Sequence, residues 1–401
     1  NFNEMRSTEG YFNLYVYNAE NEKLLKTIKI NNSDLIKVPR EGHVDLIGDP
    51  CKSLHKIEFE FEYTGAYLIS LKKEPNFKVQ SPNTAFFCKV EKIQNDSIEK
   101  IGVIYPNFTW FSYNSYGGRS LYTQPFPIPN DMGSSVVSAH RPQFHNDETK
   151  SVFSTAVFQK FLSKKKIPHI PLTSSFLDKR DDWQNLKLII ITGHDEYWTE
   201  NVYRKLETYV KNGGKIAVFS GNTGWRSFHI NGLEHRRKYH WEQIKPTEQL
   251  LGLSFRYGGV PVYVNNDSSE AETIGLPKDS YKNLGGMKIL NAQHPIFNKT
   301  GLRDGDYIGV QSKLVWYEID GIPLDPKTDR LNLERKPATS PLYDGSNLNE
   351  VNSKFPLKEN LDVLAAAWLQ YFNFSEGLQR AGTIVDTKIG DGRVIHLGSV
   401  G

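Results

Sequence analysis

The sequence predicts an α/β chain: a parallel sheet with helices on both faces, preceded by a small all-β, sandwich-like domain. Three observations carry this. The first 98 or so residues show alternating apolar patterns and no stretch of helical period. After them, short apolar runs alternate with segments of helical spacing, in the order strand, helix, strand, strand, helix, strand. The length of 401 residues suits two or three domains at about 100–200 residues each. The change of period divides the chain into 1–98 and 99–401.

Each element follows from its residues. Tyr11–Tyr17 and Leu24–Ile30 alternate, and Lys56–Tyr63 (KIEFEFEY) is a clean period-2 strand. Gly65–Leu71 continues the pattern and Thr84–Val90 (TAFFCKV) closes the block, which a small sandwich explains economically. Lys100–Tyr105 (KIGVIY) is a short apolar run, as expected of a strand buried on both faces. Residues 107–145, rich in Tyr, Gly, Pro, Asn and Ser, read as a long ordered loop, a kind that is usually functional. Ser151–Leu162 sets Val152, Phe153, Ala156, Val157 and Phe161 at helical spacing. Ile167–Leu172 and Leu186–Ile191 are further buried strands. Glu200–Asn212 is a helix closed by Asn212-Gly213-Gly214, which supplies a left-handed cap. Lys215–Phe219 is the next strand. Beyond it the pattern predicts a strand over Lys313–Ile319 and a surface excursion over 320–356. A helix over Leu361–Phe372 with a small Ala365–Ala367 face follows, then a hairpin of Gly382–Lys388 with Arg393–Gly398.

Composition narrows the function classes. Lys+Arg number 49 against 46 Asp+Glu, a net charge of +3, so no basic footprint marks a nucleic-acid binder. No run of 18 apolar residues is present to span a bilayer. A soluble globular protein is expected, with neither nucleic acid nor membrane as partner. Cys51 and Cys88 are too few for a disulfide scaffold or a cysteine zinc cluster. Two unpaired thiols are favoured over a Cys51–Cys88 pair. The chain opens on Asn1 without a charged-then-apolar leader and is read as processed or trimmed, leaving its compartment open.

Ligands of open parallel sheets bind beyond the carboxyl ends of the strands. Three such ends are chemically rich: Thr192–Thr199 (TGHDEYWT), Ser220–Arg226 (SGNTGWR) and Pro106–Arg119 (PNFTWFSYNSYGGR). Gly193 and Gly221 allow tight turns with backbone close to a ligand. His194 and Glu196 are the sharpest pair, one a general acid or base, the other a metal ligand or second base. The competing reading is a helix start, with Asp195 or Thr199 as cap and Glu196 in the first turn. Asn222 is either a preorganised amide donor for a developing oxyanion or a turn asparagine. Trp110, Tyr116, Trp198, Trp225 and Arg226 are the expected substrate-binding residues along this rim. Tyr113, Tyr116 and Tyr122 are a binding wall, phenolate ligands or packing. The basic, aromatic stretch His235–Trp241 reads as an anion or ring contact or as a solvated helix face. Asp304-Gly305-Asp306 lacks EF-hand spacing. No P-loop, dinucleotide fingerprint, Gly-x-Ser-x-Gly elbow or cysteine nucleophile occurs at a strand end.

Three segments, IGVIYPNFTWFSYNSYGGRSLY, IIITGHDEYWTENVYRKLETYVKNGGKIAVFSGNTGWR and HPIFNKTGLRDGDYIGVQSKLVWYEIDG, together resemble the large (beta) subunit of N,N-dimethylformamidase. The resemblance runs from about residue 100 to the end of the chain, with order and spacing kept. It implies a flavodoxin-like sheet similar to class I glutamine amidotransferase domains, without their cysteine. It also implies a mononuclear non-haem iron site of two tyrosinates and a glutamate, acting as Lewis acid on an amide carbonyl. Carried over by motif, Glu196 is the metal carboxylate, His194 the acid/base, Asn222 the group orienting substrate, and Tyr113 one tyrosinate. One departure stands out. The family continues its Arg-Pro motif with a tyrosine, where this chain has Arg141-Pro142-Gln143-Phe144. His140 and His145 are the substitutes at hand, which would suit a divalent ion; a protein without metal is the other outcome. The expected function is metal-dependent hydrolysis of a non-peptide C–N amide bond in a small amide or a larger polar substrate, by one or more copies of the chain. The rivals are a metal-free hydrolase using His194 and Glu196 alone, and a non-catalytic glycan- or small-molecule-binding protein using the same pocket.

Overall fold

The computed structural model describes residues 11–19, 23–31, 36–39, 53–56, 65–70, 84–89, 93, 100–114, 120–121, 136–138, 150–231, 234–237, 247–262, 282–315, 318–332, 360–370 and 377–399. The chain forms two compact units. One comprises Asn1–Trp183 with His229–Arg237, the other Gln184–Phe228 with Lys238–Gly401.

In the first unit, four antiparallel strands lie in the order Leu24–Asn31, Tyr11–Asn18, Gly65–Ser70, Thr84–Lys89. Period-2 alternation sends Leu14, Val16, Ile30, Tyr67 and Ile69 into one cluster. Tyr17, Ala66 and Leu68 join the other, which also holds Tyr105 and Trp110. Both faces are therefore covered. Ile36–Pro39 and Ser53–Lys56 form a separate two-stranded ladder. Ile101–Tyr105 and His169–Thr173 pair in parallel. The tops of these two strands are clasped: Asn107 Nδ2 donates to Ser175 Oγ at 2.6 Å, and Ser175 N donates to Asn107 Oδ1 at 3.1 Å. Cys88 carries no disulfide to any described residue. The remainder of the Lys56–Tyr63 strand expected from the alternation lies outside the described residues.

The second unit is organised by one mixed sheet. Its order is Tyr307–Ile308, Met287–Ile289, Leu361–Gln370, Ser254–Pro261, Ile319–Pro323, Leu378–Ile389, Gly392–Leu397, Lys215–Phe219, Leu188–Thr192. Only the last three run parallel to one another, with Ile189 opposite Ile216 and Ile216 opposite Val394. The helix Glu200–Lys211 connects two of them. Its buried Val202, Tyr203, Leu206, Tyr209 and Val210 form one stripe, Thr199 caps its start by accepting from Val202 N, and Gly213 (φ +94°) follows its end. Among the described residues no helix is long and apolar enough to cross a membrane.

This overturns the flavodoxin-like, glutamine amidotransferase-like α/β fold. Strand accounts for 45% of the described residues against 22% helix, and most ladders of the second unit are antiparallel. The decisive segment is Leu361–Gln370. Its expected helix is a ten-residue strand paired along its length with Leu378–Ile389. Leu364, Ala365, Ala366, Ala367 and Leu369 are all buried, and a run covered on both sides carries neither period, so small residues there mimic a helix face. Opposite Ala366 the partner strand is equally tight, since a Cβ on Gly382 would meet Ile322 and Val363 at 2.8 Å. Three smaller expectations also fail. The long loop begins with a helix, Asn107–Tyr113, and includes a strand, Val136–Ser138. The strand expected over Lys313–Ile319 lies instead at Ile319–Pro323. The start of the supposed surface excursion is that same buried strand.

Candidate functional site

The site belongs to the second unit, at the carboxyl ends of Leu188–Thr192 and Lys215–Phe219. Past Thr192 the chain turns at Gly193 (φ +74°) and reaches Tyr197–Trp198, which pairs in parallel with Arg226–Ser227. That short ladder brings Glu196 beside Arg226: Arg226 N donates to Glu196 O at 2.9 Å and Arg226 Nε to Glu196 Oε1 at 2.6 Å. The helix start is real, but its cap is Thr199 and Glu196 lies outside the first turn.

His194 Nε2 lies 3.5 Å from Glu196 Oε2 and 3.2 Å from Glu318 Oε2. Asn222 Nδ2 donates to the same Glu318 oxygen at 2.8 Å. His194 and Glu196 are 3% and 1% exposed, so solvent screens their interaction little. Asn222 sits in the left-handed region at φ +55°. The residue before it must be glycine for a different reason: a Cβ on Gly221 would collide with the carbonyl oxygen of Glu318. The carboxyl of Asp195 is pushed up to about 7 by burial, against the pull of the Trp198 indole and of His194. An imidazole flanked by two carboxylates, with a fixed amide beside them, can move a proton and orient a polar reactant.

Glu318 is the residue that sequence reasoning missed. Leu378–Ile389 pairs with Gly392–Leu397 over Ile384–Ile389, and with Ile319–Pro323 at Ala381 and Gly382. Ile319–Pro323 therefore begins where Gly392–Leu397 ends, and Glu318 arrives at the rim from the amino end of a strand. A search of carboxyl ends cannot find it. The only signal was the Glu-x-Asp of the VWYEIDG stretch.

His194, Glu196, Asn222 and Arg226 are thus brought together. Trp198 is buried against Tyr203, ring centroids 6.4 Å apart, and Trp225 packs edge-to-face on Phe255 at 5.4 Å. Trp110 and Tyr113 belong to the first unit. Trp110 is buried edge-to-face on Tyr105, and Tyr113 is half-buried at the end of its helix. Tyr116, Tyr122, His140, Gln143 and His145 lie outside the described residues, as do 238–241 of the basic aromatic stretch and the side chains of its first residues. Asp304 accepts from the backbone amide of Ala292, twelve residues earlier, and Asp306 from that of Arg303 in its own turn. Among the described residues, one set of three metal-ligand types converges, His294, Asp362 and Asp386. There the Arg393 guanidinium already grips Asp386.

Residues 62–382 match the family model described as N,N-dimethylformamidase beta subunit-like, C-terminal. No curated protein matches the chain.

Proposed function

The chain belongs to the N,N-dimethylformamidase beta subunit-like family, and from that premise we propose that it hydrolyses a non-peptide C–N amide bond at the cluster of His194, Glu196, Asn222 and Glu318. The observation that supports this most is His194 Nε2 set between two buried or half-buried carboxylates, one of them held by Asn222. In this reading His194 takes a proton from the attacking water as its oxygen bonds to the amide carbon. It returns that proton to the nitrogen as the C–N bond breaks, so acid and amine leave in balance. Glu196 and Glu318 offset the charge that His194 gains. Asn222 Oδ1, buried and without a hydrogen-bond partner, is placed to accept from the water or from a substrate N–H. Arg226 holds Glu196 in place.

The reading includes a mononuclear iron. Glu196 suits a hard ion, being a buried carboxylate with Oε1 on Arg226 and Oε2 turned to the site. A ferric ion there would polarise the amide carbonyl as a Lewis acid. Tyr113 belongs to the other unit, and the proposal rests on Glu196 alone.

The test is amine release from a panel of small N-alkyl and N,N-dialkyl amides, with iron measured on the same samples. Wild type is expected to release amine and carry iron, Glu196→Ala to lose both, and His194→Ala to lose activity while keeping fold and iron. Folded, iron-supplied protein that binds such amides without releasing amine would overturn the proposal in favour of a binding protein.

A further inference from the structure

Behind the cluster lies a second pair of buried titratable groups, Asp320 and His396, neither of which reaches His194 or Glu196 through any contact described above. Both are 0% exposed. Asp320 follows Glu318 by two residues, so the strand that delivers Glu318 also delivers Asp320. Its amide donates to Gly398 O at 2.8 Å, which anchors the strand start. Its Oδ2 accepts from Thr223 N at 3.0 Å. His396 comes from the parallel strand Gly392–Leu397, opposite Val218. Its Nε2 lies 3.2 Å from Ser220 O and 3.3 Å from Asp320 Oδ2.

The chemistry of those contacts is one-sided. Nε2 faces two oxygens, so it carries the hydrogen and donates. Nδ1 is buried with no hydrogen-bond partner, so the contacts of Nε2 are the ones that tie the ring to the turn. Together the two side chains grip the turn at both ends, His396 on the carbonyl of Ser220 and Asp320 on the amide of Thr223. Between those points lie Gly221, with no room for a Cβ against Glu318, and Asn222 at φ +55°. A left-handed asparagine needs its flanks fixed to stay there.

We propose that Asp320 and His396 are positioning residues that lock the Ser220–Thr223 turn in its left-handed form and so aim Asn222 at Glu318. The inference concerns the arrangement of the cluster; its kinetic consequence rests on the hydrolase reading above. A buried carboxylate and imidazole would be a poor choice for filling space, because apolar residues of the same size cost less to bury. They are a good choice where main-chain groups of a strained turn must be held from both ends.

The test compares full-length His396→Leu with His396→Gln, which keeps an N–H at about the same reach. Crystal structures come first, since they do not depend on any activity. In His396→Leu, Asn222 should leave the positive-φ region and lose its hydrogen bond to Glu318; in His396→Gln both should be retained. Kinetics on the amide substrate should then show kcat lower by roughly 10–100-fold in His396→Leu, as expected for misplacement near 1 Å. KM should change little, and His396→Gln should recover most of the loss. If His396→Leu does not fold, Asp320→Asn is measured in the same way, with the same direction of change expected. An unmoved turn in the folded variant overturns the inference. A moved turn with unchanged amide turnover supports the positioning role and instead counts against Asn222 and Glu318 as hydrolase residues.

Discussion

Replacing Arg226 by Met deletes the guanidinium whose Nε donates to Glu196 Oε1 at 2.6 Å. The two side chains are 8% and 1% exposed, so neither charge can turn to water when its partner goes. Removing one member of such a pair strands the other, a loss of about 3–5 kcal/mol. For a cooperative unit of about 150–250 residues each kcal/mol lowers Tm by about 2–4 °C, so Tm should drop by roughly 6–20 °C. Calorimetry and urea unfolding would read it, with chelator present so that metal bound at Glu196 adds nothing. The main-chain bond from Arg226 N to Glu196 O is present in every variant, so the difference reports on the side chains. Adding Glu196→Gln removes the stranded charge, and the double variant should be more stable than Arg226→Met by about 1 kcal/mol or more. A cost below about 1 kcal/mol, as for surface pairs, would refute the reasoning. So would a double variant less stable than the single one.

Three further outcomes are expected. Asn222→Gly and Asn222→Ala both lose the bond to Glu318, but only alanine keeps the burden of φ +55°, so the glycine variant should be more stable by about 1 kcal/mol in urea titrations; equal midpoints would exclude backbone strain at this turn. Thr199→Ala removes the cap on Val202 N and should cost about 1 kcal/mol, measured as loss of thermal stability with His194 and Glu196 unchanged in sequence. At Asp329 burial pushes the carboxyl up, but Arg380 at 2.6 Å and Lys288 at 3.2 Å outweigh it and hold the group below its ordinary value of 3.8. A carboxyl lowered by folding contributes fully above its unfolded pKa and loses that contribution as pH falls through the folded one. Asp329→Asn should therefore be less stable than wild type by roughly 1 kcal/mol at pH 7, with the gap closing below about pH 4; a gap independent of pH would rule out the ion pairs as its source.

Much of the candidate site's placement was legible in the chain. Leu188–Thr192 and Lys215–Phe219 announced themselves as apolar runs, and the Glu200–Lys211 helix by its Asn212-Gly213-Gly214 ending, while the structure supplied its buried stripe and settled the cap on Thr199 rather than Asp195. With those elements placed, His194, Glu196, Asn222 and Arg226 fell at strand ends by counting alone. The family resemblance, read from three segments, agrees with the match over residues 62–382.

The sequence by itself determined these local elements and the rim they share, because helical and strand periods, caps and turn glycines are encoded within a few residues of one another. Only the tertiary structure decided that Leu361–Gln370 is a strand, since a run covered on both faces has no period to read. It also decided that Glu318 and Asp320 meet a turn some hundred residues earlier in the chain, with |i−j| of 96 and 97. That meeting depends on one strand beginning where another ends along Leu378–Ile389. Such a relation is set by long-range pairing and close packing, and no local pattern in the chain records it.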